Sequence, residues 1–153
     1  REALKLKLKA FKKQVSADSV IVNVENAAAG FGLTKAIYDE FSKLSIDVMS
    51  SGNHIYDKKA FLSYIDSCEK LIRPLNYPAS QPGKGYVIYS VEGIKIAVLN
   101  AIGRVFMPLS QCPFEQVQKL YERLSDSVDI FILDFHAEAT SEKEQFNKRQ
   151  SKH

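Results

Sequence analysis

Three apolar, β-branched runs in this sequence each end in side chains able to hold a metal or move a proton. SVIVNV (19–24) runs into Glu25 and Asn26. IDVMSS (46–51) runs into Gly52, Asn53 and His54, and DIFILDF (129–135) carries Asp134 and ends at His136. A carboxylate, amide oxygens and imidazoles form an oxygen-and-nitrogen donor set, which suits iron, manganese or zinc better than a thiolate site does. In open α/β sheets the C-terminal ends of the strands share one edge, and ligands bind there. Each residue also has a plainer explanation: Asn53 as a turn residue after glycine, Glu25 as a helix-cap partner, His136 as a half-buried histidine with a satisfied ring. Residue types and spacing leave both readings open.

The elements that would position these groups follow from periodicity. Leu4, Leu8, Phe11 and Val15 fall on one helical face among lysines, and SVIVNV reads as a buried strand. After the loop AAAGFGL, Thr34 is placed to cap a helix over KAIYDEFSKL (35–44). IDVMSS is the next strand, and Asp57 begins a predicted helix over KKAFLSYIDSCEKL (58–71). A proline- and glycine-rich loop (73–85) leads into a hairpin, YVIYSV and IKIAVLN around Glu92-Gly93. The loop GRVFMPLSQCP (103–113) precedes an amphipathic helix, FEQVQKLYERL (114–124), with Val117, Leu120 and Leu124 along one face, and DIFILDF is the last strand. The text from Ser141 onward has almost no apolar content and stays unassigned, with a frayed helix as the option. Strands alternating with helices, with one hairpin between them, predict an α/β or mixed sheet flanked by helices.

Several chemistries drop out. Gly30-Phe31-Gly32 lacks the third glycine of a dinucleotide loop, and no Gly-x-x-x-x-Gly-Lys phosphate loop occurs. His136-Ala137-Glu138 copies one half of a zinc-deaminase signature, but no Pro-Cys-x-x-Cys follows. No Gly-x-Ser-x-Gly elbow surrounds Ser51. The 153 residues suffice for one domain with a sizeable core, and 45% hydrophobic with 25% charged residues is ordinary for a globular protein. The net charge of +3 is concentrated in KLKLKAFKK and KEQFNKRQSKH, which read as a solvated helix face and a polar tail before they read as a nucleic-acid patch. Cys68 and Cys112 have no metal or redox spacing and are expected to be free thiols of an intracellular, cytoplasmic protein. No apolar run is long enough to span a membrane.

With VNVENAAAGFGLT, SSGNHIYDKK, RPLNYP, GRVFMPLSQCPF and DFHAEATSEK in view, the sequence resembles the bacterial YmdB-like phosphoesterases, a branch of the calcineurin-like metallophosphoesterases. The likeness covers residues 1 to about 143, with the blocks in family order. It implies a metallophosphoesterase-type β-sandwich flanked by helices, built around two divalent metal ions, often iron or manganese. It also implies hydrolysis of phosphodiesters, including 2′,3′-cyclic nucleotides. Carried over by residue, Glu25 is the carboxylate bridging both metals, Asn26 a further ligand of one, and Asn53 with His136 ligands of the other. His54 stands beside them as proton donor to the leaving oxygen. Arg104, in the GRVFM loop, is a further candidate for phosphate contact, with an exposed loop arginine as the plainer reading.

The resemblance also sets expectations for the ends. Relatives open with a strand ending in a Gly-Asp ligand motif, whereas this sequence starts at Arg1, and no Gly-x-His-x-His segment follows DFHAEATSEK. The three histidines are His54, His136 and His153. The expectation is a partial metallophosphoesterase domain over residues 1–143 with a polar, divergent tail over 144–153. It would lack the family's first strand and C-terminal part, hold at most one metal well, and have impaired activity. The partner would be a phosphodiester small molecule or nucleotide, with nucleic acid weakly supported and no membrane. The alternative is a non-catalytic interaction module that self-associates through an exposed sheet edge.

Overall fold

The structure, a computed structural model, describes residues 2–150. Its elements run α1 (Glu2–Gln14), β1 (Ile21–Asn23), α2 (Lys35–Ser42), β2 (Val48–Ser50), β3 (Tyr86–Val91), β4 (Ile94–Ile102), α3 (Pro113–Leu124), β5 (Ile130–His136) and α4 (Thr140–Gln150), with short 3-10 turns between β2 and β3.

Two sheets carry the strands. β1 pairs parallel with β2, Asn23 opposite Ser50, and Leu71 bridges onto the other side of β2 at Met49. β4 is the centre of the second sheet, antiparallel to β3 and parallel to β5, with Ile102 opposite His136. Side chains alternate across a strand, and that alternation sorts the core into layers. Val48, Ile72, Ile96 and Val98 pack together with Ile21, Val87 and Ile132. Between Ile96 and Val98, Ala97 points the other way, with Leu99 and Ala101, into a cluster completed by Val117 and Leu120 of α3 and Phe146 of α4. Met49, beside Val48, joins Ile37 and Phe41 of α2 and the partly buried Leu4 and Leu8 of α1. The result is a sandwich of two sheets with helices outside each, as the resemblance implied.

Most predicted elements are present. Thr34 caps α2, its hydroxyl accepting from Ile37 N at 3.4 Å, and Glu92 (φ 50) and Gly93 (φ 88) form the hairpin turn between β3 and β4. Two expectations need correction. No α-helix forms over 58–71; the chain makes 3-10 turns at Lys59–Phe61 and Ile65–Ser67. There Ser63, Ser67 and Cys68 side chains donate to the carbonyls of Ala60 and Tyr64, the local competition that weakens a regular helix. Phe11 of α1 and Val15 just past its end are exposed, and only Leu4 and Leu8 of the proposed face reach the core. The unassigned stretch from Ser141 takes the helical option, lying in α4, and Phe146 anchors it with its ring centroid 4.4 Å from that of Phe114 and 4.5 Å from that of Phe135. His153 lies outside the described residues. Cys68 is buried, Cys112 is half-buried, and both are free. Among the described residues no helix is long and apolar enough to cross a membrane.

Candidate metal centre

β1 and β2 run parallel, as do β4 and β5, so each pair ends its strands together. Two amide side chains tie the two ends into one edge. Asn23 Nδ2 donates to Ser51 O at 3.2 Å and to Asp134 Oδ2 at 3.1 Å. The fully buried Asn100 donates from Nδ2 to Ser51 O at 3.0 Å and Asp134 O at 3.2 Å.

Glu25 sits at the centre of that edge and is only 2% exposed. Its backbone N–H donates to Asn23 Oδ1 at 3.0 Å, which fixes the turn out of β1. One carboxylate oxygen, Oε1, accepts from the backbone N–H of His54 at 3.3 Å; the other, Oε2, lies 3.2 Å from His136 Nδ1. Gly52 makes room for this carboxylate: a Cβ there would lie 2.3 to 2.4 Å from Glu25 Oε1, Cδ and Oε2. A buried charge needs compensation, and Glu25 finds it in one N–H and one imidazole.

Asn53 and His54 open a short 3-10 turn, Asn53–Tyr56. The ring of His54 is held from two sides. Nδ1 lies 2.7 Å from Asp57 Oδ2, and Nε2 lies 3.4 Å from Asn53 Nδ2. With the Nδ1–H given to Asp57, Nε2 faces the Asn53 amide. Phe31, from the loop after Glu25, packs T-shaped with the His54 ring, centroids 5.0 Å apart and planes at 75°.

Of the sequence-predicted residues, the structure therefore brings together Glu25, Asn53, His54 and His136. Asn26 follows Glu25 but is exposed and takes no part in the hydrogen bonds that join the others. Arg104 is exposed as well; its backbone N–H, with that of Val105, donates to the Glu142 carboxylate at 2.9 and 3.3 Å, which anchors the loop one step beyond the Ile102–His136 pair. Three residues of the site escaped the sequence reading. Asp57 carried a signal, three residues after His54 in HIYD, a spacing that one 3-10 turn brings to the same side. Asn23 and Asn100 carried none, since an asparagine at a strand end looks like any turn residue.

The donor set fits a divalent cation in part. Two ligand atoms each about 2.1 Å from one cation, at right-angle to tetrahedral bite, are separated by roughly 3 Å, and Glu25 Oε2 and His136 Nδ1 stand at 3.2 Å. Asn53 can offer Oδ1 to a cation while its Nδ2 faces His54. Among the described residues no three His, Cys, Asp or Glu side chains gather into a metal-holding group, so a cation here needs the amide oxygen.

Comparison with known proteins bears on this geometry. A family model described as YmdB-like protein matches residues 1–150. Over 123 residues the chain is 42% identical to a Bacillus subtilis (strain 168) protein named 2′,3′-cyclic-nucleotide 2′-phosphodiesterase, covering 80% of this chain and 47% of that one. A crystal structure of a phosphatase from Mycoplasma pneumoniae superposes with a TM-score of 0.86 at 33% identity, covering 95% of this chain and 53% of the other. A hypothetical protein from Thermus thermophilus gives a TM-score of 0.78 at 37% identity, covering 86% and 51%. The chain spans about half the length of the relatives it matches.

Proposed function

From the premise that this chain belongs to the YmdB-like protein family, we propose that its strand-end edge is part of the catalytic face of a divalent-metal phosphodiesterase. Small phosphodiesters are the substrates, with 2′,3′-cyclic nucleotides the favoured class, in keeping with the name of the Bacillus relative. The observation that carries the reading is the convergence of Glu25, His136 and the Asn53-His54 pair at the joined ends of β1, β2 and β5.

Glu25, Asn53 and His136 would hold one ion. Glu25 would also serve the second, with Asn26. Iron and manganese suit this oxygen-and-nitrogen set. When bound, such ions polarise a phosphoryl oxygen and make a bound water acidic. In hydrolysis the water oxygen bonds to phosphorus and the bond from phosphorus to the ester oxygen breaks. His54 gives its Nε2 proton to that departing oxygen, a contribution typically of about 10²–10⁴-fold, and regains a proton from solvent. Asp57 holds Nδ1–H throughout, so the proton given is the second one, carried on Nε2 when the ring is the imidazolium, and the ring is left neutral with its proton on Nδ1. Glu25, buried and backed by Gly52, holds its charge where cations gather.

The deciding experiment is metal content per chain after purification without chelator, together with hydrolysis of bis(p-nitrophenyl) phosphate. Bound metal with turnover supports the reading, and a metal-free, inert chain overturns it for this polypeptide. One observation favours a second reading: β1 and β5 each have a strand partner on one side only among the described residues, which suits an interaction module that pairs through a sheet edge. Concentration-dependent association that ignores metal would support that instead.

A further inference from the structure

The loop after Glu25 is built with unusual care for a surface segment. Ala29 (φ 57), Gly30 (φ 93) and Gly32 (φ 71) all take the left-handed conformation, which is unfavourable for the alanine. The turn is closed by Gly32 N–H to Glu25 O at 2.6 Å, Ala28 N–H to Gly32 O at 3.0 Å and Gly30 N–H to Asn26 O at 3.2 Å. A Cβ on Gly32 would lie 2.9 Å from His54 O, so this loop and the His54 turn touch backbone to backbone. What the loop displays is Phe31, 54% exposed, its ring in T-shaped contact with the ring of His54. A left-handed alanine persists only where its surroundings fix it, and such positions gather at functional sites.

We propose that Phe31 is the platform on which the substrate's nucleobase stacks, and so a specificity-determining residue that distinguishes nucleotides from base-free phosphodiesters. The inference rests on the phosphodiesterase reading above. In a 2′,3′-cyclic nucleotide the carbon bearing the base is bonded to a carbon bearing one of the ester oxygens. A base therefore lies close to the oxygen that takes the His54 proton, and Phe31 is the aromatic ring in contact with His54. The T-shaped contact uses one ring on edge and leaves the exposed Phe31 ring area to a flat, apolar partner. Stacking on an aromatic side chain tolerates any base, since every base has a π-face. The platform thus selects nucleotides as a class and does not choose among bases.

The sequence contains no tryptophan, so Phe31→Trp introduces a single reporter that keeps an aromatic face. The full chain, with manganese added, is titrated with adenosine 2′,3′-cyclic phosphate and separately with the base-free glycerol 1,2-cyclic phosphate. The expected result is saturable quenching of the Trp emission by the adenosine ester alone. By calorimetry, Phe31→Ala should weaken adenosine-ester binding about tenfold and leave the glycerol ester unchanged. Phe31→Leu, which keeps apolar bulk without the π-face, should fall with Phe31→Ala. Adenosine-ester binding that is indifferent to Phe31→Ala, or that leaves the Trp silent, overturns the platform while the phosphodiesterase reading stands. If neither ester binds, that reading fails and the platform with it.

Discussion

The carboxylate of Glu25 meets the ring of His136, Oε2 to Nδ1 at 3.2 Å, across the seam where two separate sheets end. This pair is the most direct handle on the metal reading. Glu25→Gln keeps the shape and removes the charge. Manganese at a hundredfold excess over its dissociation constant stabilises a folded protein by about 2.7 kcal/mol, which for a domain of this size is a rise of roughly 5–10 °C in Tm. That rise is expected for the natural sequence, reversed by chelator, and absent from Glu25→Gln in the same thermal scan. An equal rise in both proteins would remove Glu25 from the site.

Gly52 gives an independent test, because its backbone is extended and any residue could adopt it (φ −162). Only space forbids a side chain there. Gly52→Ala should therefore displace the Glu25 carboxylate while leaving the strands paired. Manganese affinity is expected to fall by roughly 10–100-fold, the range found when support around a metal ligand is lost. The far-ultraviolet circular dichroism should stay close to that of the natural protein. Unaltered affinity would mean that the carboxylate has room to spare.

In the proposed reaction Asp57 would act through His54, so its removal should lower kcat by roughly 10–100-fold and leave KM nearly alone, a part of the usual acid–base contribution. The more telling readout is the imidazole itself. Nitrogen-15 NMR of the neutral ring should show the proton on Nδ1 in the natural sequence and a mixture of tautomers in Asp57→Ala. Asp57→Asn, whose amide oxygen still accepts from Nδ1–H, should restore most of the Nδ1 form. A ring with the same tautomer in all three proteins would reduce Asp57 to a surface contact.

Cys68 sets an alkaline limit on stability. Burial pushes its thiol up to about 11 from the ordinary 9.0, against a smaller opposing effect of the Tyr38 hydroxyl. The folded state thus holds this proton more tightly than the unfolded chain does. The resulting stability is complete below pH 9 and is lost as pH rises towards about 11, amounting to about 2–3 kcal/mol at the high end. Denaturant midpoints between pH 8 and 11 should fall less steeply in Cys68→Ala, measured against its own value at pH 8. Parallel declines would assign the alkaline loss to other groups.

Much of this was legible in the sequence because it depends on local pattern. Thr34 before an amphipathic run, Glu92-Gly93 between alternating strands, and Val117 with Leu120 on one helical face each state their structure within a few residues. The stretch from Lys58 to Leu71 misled because apolar residues three and four apart suit an α-helix and a series of 3-10 turns alike. What broke the tie was hydroxyl and thiol groups reaching back to nearby carbonyls. Phe146 was overlooked because one aromatic in a polar segment has no period, and its partners, Phe114 and Phe135, lie on other elements. In the site, Glu25, His54 and His136 declared themselves by type and strand-end position. Asn23 and Asn100 did not, since their role lies wholly in the distance they span.

That span has a consequence for how the chain folds. The hydrogen bond from Asn23 to Asp134 closes a separation of 111 residues, whereas the hairpin of β3 and β4 turns on Glu92 and Gly93 alone. Nearby contacts form at small entropic cost, and distant ones wait until the ordering between them has been done. The strand-end edge should be the last part of the molecule to assemble, after the hairpin and after β1 has found β2. In a refolding experiment, the recovery of metal binding would then trail the recovery of secondary structure, and the cation would serve as a clock for the final step.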